Sequence, residues 1–206
     1  MKKIWDKIFN KFRTNKRFIV FLFTLLFMGV LFGALFAVKL NSNDLQEIKT
    51  SLESFFKLLN QNKLNFLSTF FQSFSANVMF LIAIFFFGIS VVGIPLTIIL
   101  FFMKTFTLGF TIASIIKIYH MKGLVYSFIY IFPHQVINIL VYIFCIMFSI
   151  SLSMTLVSAL LKKKTVDFSL IMNRYIFVFI VAFVLLVFTS LMETYLMPFL
   201  FHSIFS

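Results

Sequence analysis

The chain has 206 residues, 62% of them hydrophobic, a mean hydropathy of +1.08 and a formal net charge of +12. A water-soluble domain could not hide that much apolar surface, so the sequence predicts an all-α integral membrane protein. No compact basic domain collects the positive charge, which argues against nucleic acid and for membrane lipid as the partner.

Seven basic residues, Lys2, Lys3, Lys7, Lys11, Arg13, Lys16 and Arg17, precede the first apolar run. Within this segment (1–17), Ile4, Trp5, Ile8, Phe9 and Phe12 share one helical face, with Lys3, Asp6, Lys7, Asn10 and Lys11 opposite. The pattern fits a cytoplasmic interfacial helix with Trp5 at headgroup depth, and equally a basic tail, since so short a helix needs the membrane to form. The run from Phe18 to Val38 is longer than a secretory signal core and lacks its cleavage pattern. It is expected to be a retained first transmembrane helix. Gly29 and Gly33 within it have the spacing that lets two helices approach closely.

Residues 39–77 are expected to form an extracytoplasmic helical loop. Leu45, Ile48, Leu52, Phe55 and Leu59 recur at helical spacing, with Asp44, Glu47, Lys49, Glu53 and Lys57 on the other side. Asn43 and Gln46 have capping-box spacing, and Asn60-Gln61-Asn62 reads as a stop. This stripe is either packed on the protein's own helices or headgroups, or is a partner surface. A second amphipathic turn, Leu67, Phe70, Phe71 and Phe74, leads on to the membrane.

Residues 78–118 are right for two crossings. The turn between them falls either at Gly93-Ile94-Pro95 or at Lys104, the one charge between Val78 and Ile116. Gly93, Pro95 and Gly109 are candidate helix-packing positions along with Gly29 and Gly33. Residues 124–161 exceed one crossing. Pro133 is expected to split them into a re-entrant half-helix and a fourth crossing, a single proline-kinked helix being the other possibility. On that fourth helix Ser149, Ser151, Ser153 and Ser158 can bond back to their own helix. After a basic cytoplasmic loop at 162–175, a fifth crossing covers about 176–197, and 198–206 form an outer tail.

Five crossings put the termini on opposite faces. The face holding the N-terminus, Lys104, Lys162, Lys163, Lys164 and Arg174 has twelve basic residues; the other has six, Lys39, Lys49, Lys57, Lys63, Lys117 and Lys122. The positive-inside rule then places the N-terminus in the cytoplasm and the C-terminus outside.

Motifs for chemistry are sparse. The chain has no phosphate-binding glycine loop, HExxH or paired cysteines, its lone Cys145 lying in an apolar run. Catalysis is not expected, nor a metal or cofactor. His134 and Asn138 share a helix face, and with Gln135 they are expected to form a hydrogen-bonded clamp across the broken helix in preference to a substrate or proton site. Glu193 is expected to reach the interface, or to pair with Lys117 or Lys122. The 34 phenylalanines are spread over every apolar run, so they serve as generic lipid-facing residues.

Phe27-Met28-Gly29-Val30-Leu31-Phe32-Gly33-Ala34 resembles the first helix of the stage II sporulation protein M family. Phe70 through Asn77, Gly88 through Pro95, Lys104 with Gly109-Phe110-Thr111, and Phe132-Pro133-His134-Gln135 continue the resemblance in order, over about residues 18–200. Where wider relatives have Pro-His-Gly and a Glu four residues after the His, this chain has Gln135 and Asn138. The resemblance implies a multi-pass mother-cell membrane protein. It implies a scaffold that recruits stage II sporulation proteins D and P to the septum for wall thinning and engulfment. The rival from a different class is a small permease or permease subunit using the broken helices around Pro95 and Pro133.

Overall fold

The computed structural model describes residues 16–60, 65–90, 92–162 and 167–200. Among them, all regular structure is helical: α1 (Lys16–Val38), α2 (Ser42–Asn60), α3 (Phe66–Ile89), α4 (Gly93–Tyr126), α5 (Phe132–Lys162) and α6 (Phe168–Leu191). A π-helical turn, Ser127–Ile131, leads into α5, and a second, Met192–Leu196, comes after α6. The expected interfacial segment with Trp5, the stop at Gln61-Asn62, Lys163-Lys164 and the tail beyond Leu200 lie outside the described residues.

The membrane-length apolar runs are Lys16–Val38, Phe66–Ile89, Gly93–Ala159 and Phe168–Leu200. The third, at 67 residues, would be roughly 100 Å as one straight helix, about three times a bilayer core. It breaks at His120, whose φ of 51° and ψ of −127° are left-handed backbone that a non-glycine residue rarely adopts. The break divides this run into two membrane-length helices, which makes five among the described residues. Gly123 just past the break comes against the Ile115 carbonyl, too close for any side chain.

Two helix pairs run parallel. Gly29 and Gly33 of α1 meet Thr105 and the Phe106–Phe110 backbone of α4, while Gly109 meets the Val30 backbone. Three glycines thus make one seam where the backbones nearly touch, which small residues permit in lipid. At the end of the seam nearest α2, Lys117 donates to the carbonyls of Ala37, Val38 and Leu40 at 3.3, 2.8 and 3.4 Å, closing the last turn of α1. The second pair is α3 with α5. Asn77 meets Tyr142, Ile84 meets Ser149 and Gly88 meets Ser153, each 65 residues apart. An unchanging offset is the signature of parallel helices, and α6 returns antiparallel beside both.

Where the sequence expectation differs from the structure, polarity is the usual reason. α3 starts at Phe66 instead of Val78, capped by Asn65, whose Oδ1 accepts from Ser68 N at 3.3 Å. Ser73 and Asn77, expected in the extracytoplasmic loop, belong to α3 and point into the protein, where they meet Glu193 and Tyr142. The break between α3 and α4 lies just before Gly93, leaving Lys104 in the middle of a helix. Gly93 comes so close to the Phe87 carbonyl that a Cβ would not fit, and exposed Pro95 sits in the first turn of α4, where its missing N–H costs nothing. Pro133 does not split its segment: helix continues through it, because the π turn before it widens the backbone. α2 starts at Ser42, the Asn41 carbonyl accepting from Leu45 N, so Asn43 lies inside the first turn. Asp167 caps α6 at Phe168, which brings Arg174 into the helix.

α5 is the buried axis of the bundle. Tyr142, Cys145 and Ile146 are inaccessible, and Leu22, Ile84, Phe101 and Leu186 reach the same core from the other helices. Ser149 and Ser153 do not bond to their own helix as expected. They donate across to the carbonyls of Ile84 and Gly88 at 3.4 and 2.7 Å, because glycine at 88 leaves the α3 backbone open. Ser158 does bond within its helix, to the Thr155 carbonyl. Phe27, Phe36, Phe86 and Phe177 are more than half exposed on the outside, where lipid would cover them.

Candidate functional site

α5 places His134, Asn138 and Tyr142 four residues apart on one inward stripe, all essentially inaccessible. α3 presents Ser73 and Asn77 at the same spacing, α4 contributes Lys104, and the end of α6 contributes Thr189, Ser190 and Glu193. These polar groups meet in the interior of a largely apolar bundle.

Glu193 is the hub. Its Oε2 accepts from Ser73 Oγ at 2.5 Å and lies 3.5 Å from His134 Nε2. Ser73 Oγ also accepts from Asn77 Nδ2 at 3.5 Å and is 3.5 Å from Ser190 Oγ. Asn77 Oδ1 accepts from the Tyr142 hydroxyl at 2.9 Å and from Lys104 Nζ at 3.5 Å. One continuous network therefore runs from His134 through Glu193, Ser73 and Asn77 to Lys104. The ammonium of Lys104 lies over the rings of Phe80 and Tyr142 at 5.8 and 5.9 Å, a position that attracts a cation.

Both π turns shape this cluster. Each replaces the four-residue bond with a five-residue one, Phe132 N to Ser127 O and Met197 N to Met192 O. A proline comes at the same offset after each, Pro133 or Pro198. Its ring would strike the carbonyl four residues back, and a wider turn relieves that clash. The first turn carries Tyr130 and delivers His134; the second carries Glu193.

Of the expected clamp, His134 joins the network. Asn138 bonds elsewhere, its Oδ1 accepting from Thr189 Oγ1 at 2.6 Å, so it ties α5 to α6. Gln135 lines the cavity beside His134. Glu193 is not paired with Lys117, which is engaged with the end of α1. Sequence reasoning misses Lys104, Ser73, Asn77 and Tyr142 as members of the cluster. The available signals are Lys104 as the one charge between Val78 and Ile116, and the Ser73/Asn77 spacing at the edge of an apolar segment.

A cavity of about 240 Å³ opens against the cluster, lined by Lys104, Thr111, Tyr130, His134, Gln135 and Glu193 among others. Leu52 and Phe55 of α2 form its roof, Phe55 meeting Tyr130 edge-on at 5.2 Å. Leu45 and Ile48 of the same stripe are half-buried, and the side chain of Leu59 lies outside the described residues. No group of three metal-ligating residues occurs among the described residues.

Residues 20–198 match the model of the family described as stage II sporulation protein M. The chain belongs to that family. No match is found among curated proteins or among solved structures. A sporulation membrane protein is thus what family and fold together support, with the family's first and last matched residues enclosing nearly the whole of the crossings.

Proposed function

We propose that this family member is a non-enzymatic membrane scaffold for septal peptidoglycan remodelling and engulfment. It recruits stage II sporulation proteins D and P to the sporulation septum. The family match over residues 20–198 is the observation that carries this reading. The N-terminus is cytoplasmic and α2 faces the wall: seven basic residues precede Phe18, and Lys162 to Lys164 and Arg174 share that side. Lys104, being mid-helix, drops out of the comparison without reversing it.

α2 supplies the platform. Leu52 and Phe55 seat it on the crossings, while Asp44, Glu47, Glu53 and Lys57 are exposed. The partner surface then comprises this outer face with the flanking Leu45, Ile48 and Leu59. Reversing charge with Glu47→Lys and Glu53→Lys should abolish co-purification of both partners from sporulating membranes while the variant still inserts. Leu52→Asp with Phe55→Asp should also lose them, by unseating the platform. Undiminished recovery of both partners with the two double variants would overturn the proposal.

A further inference from the structure

Two opposite charges line the 240 Å³ cavity, Lys104 from the middle of α4 and Glu193 from the π turn after α6. They make no direct ion pair: among the described residues the acid–base contacts within 4 Å are Lys49 with Glu53 and His134 with Glu193, and Ser73 and Asn77 link Glu193 to Lys104 only through hydrogen bonds. Ionisable groups at lipid depth are costly to keep, and a pair that borders one opening without closing on itself is a site built for something else. Beside them stands His134, 2% exposed. Gln135 adds an amide to the wall, and the Thr107 and Thr111 hydroxyls donate to their own helix at 2.9 Å, which leaves their oxygens free to accept. Tyr126, Tyr130 and Ile131, with the Leu52 and Phe55 roof, make much of the rest apolar and aromatic.

These features restrict the occupant. A simple cation would meet Lys104, and a simple anion would meet Glu193. A metal ion lacks its ligand set among the described residues. We propose that the cavity binds a small zwitterion, a primary ammonium a few bonds from a carboxylate or phosphate. The ammonium donates to Glu193 and the threonine oxygens; the anionic group accepts from Lys104 and Gln135. The same chemistry occurs in a free amino acid and in the phosphoethanolamine headgroup of a membrane lipid. The site lies under Leu52 and Phe55 while Glu47 and Glu53 are exposed, so Glu47→Lys with Glu53→Lys tests partner recruitment without altering the cavity's lining.

The test uses the full chain in nanodiscs of phosphatidylglycerol, which has no ammonium, with calorimetric titration of β-alanine and O-phosphoethanolamine. At least one should bind about tenfold or more tightly than ethylammonium and acetate. Lys104→Met and Glu193→Gln should each lose about tenfold or more of that affinity. If a lipid headgroup is the occupant, adding phosphatidylethanolamine to the discs should raise the unfolding temperature of the wild type and suppress the titration. If a solute is the occupant, the added lipid should change neither. Equal affinity for single-charge probes, absence of binding by both zwitterions, or unchanged binding in both variants would overturn the proposal. The comparison of probes on the wild type needs no variant to fold.

Discussion

Pro133 and Pro198 each stand two residues beyond the end of a π-helical turn, Ser127–Ile131 in one case and Met192–Leu196 in the other. The first turn leads into the helix that carries His134 and the second carries Glu193, and His134 Nε2 lies 3.5 Å from Glu193 Oε2. The prolines thus act as register devices. Each forces one extra residue into a turn and so rotates the downstream residues by about 100° relative to a regular helix.

That claim can be tested with a metal. Glu193→His opposite His134 should create a two-histidine zinc site, and saturating zinc should stabilise the variant by about 2 kcal/mol or more in thermal unfolding. Adding Pro133→Ala should let the π turn relax and remove the zinc effect. An unchanged zinc effect would show that the proline does not set the register.

The glycine seam gives a rank order. A methyl at Gly33 would strike the Phe106 and Phe110 backbone, which cannot give way, whereas at Gly29 the nearest atoms belong to the Thr105 side chain. Gly33→Ala is therefore expected to cost more than Gly29→Ala, by about 1–3 kcal/mol, in detergent unfolding. Equal costs would mean that the two backbones do not touch at Gly33.

Tyr142 is buried and donates to Asn77 Oδ1. Tyr142→Phe should cost about 1–3 kcal/mol, because it strips a partner from a buried amide. A double-mutant cycle with Asn77→Ala should show coupling of about 0.5 kcal/mol or more. Additive losses would place the two groups out of contact.

Lys117→Met should free the carbonyls of Ala37, Val38 and Leu40. Amide exchange should then quicken in the last turn of α1 and around Asn41, with the rest of α1 unaffected. Unchanged protection there would remove Lys117 from its capping role.

Much of the fold is legible in residue order, because lipid makes the rules strict. Five apolar runs, a short amphipathic helix between the first two and the glycine spacing at 29 and 33 are all visible. The stripe of His134 and Asn138 is visible too, since helical spacing alone puts them on one face. Lys104, Ser73 and Asn77 are not, for one shared reason: in a linear scan a polar residue inside or beside an apolar run marks a boundary. Only packing shows that it is satisfied from the interior. Pro133 misleads in the same way, because a proline breaks a helix unless the preceding turn widens, and that widening leaves no trace in composition. Ser149 and Ser153 read as self-bonded until Gly88 is seen opposite them.

The most direct test of the central claim, a five-crossing bundle with termini on opposite faces, is cysteine labelling in intact cells. In a Cys145→Ser background, Ser54→Cys on α2 and Ser206→Cys at the C-terminus should react with an impermeant maleimide from outside, while Lys16→Cys should react only after permeabilisation. Labelling of Lys16→Cys and Ser206→Cys from the same side would contradict it.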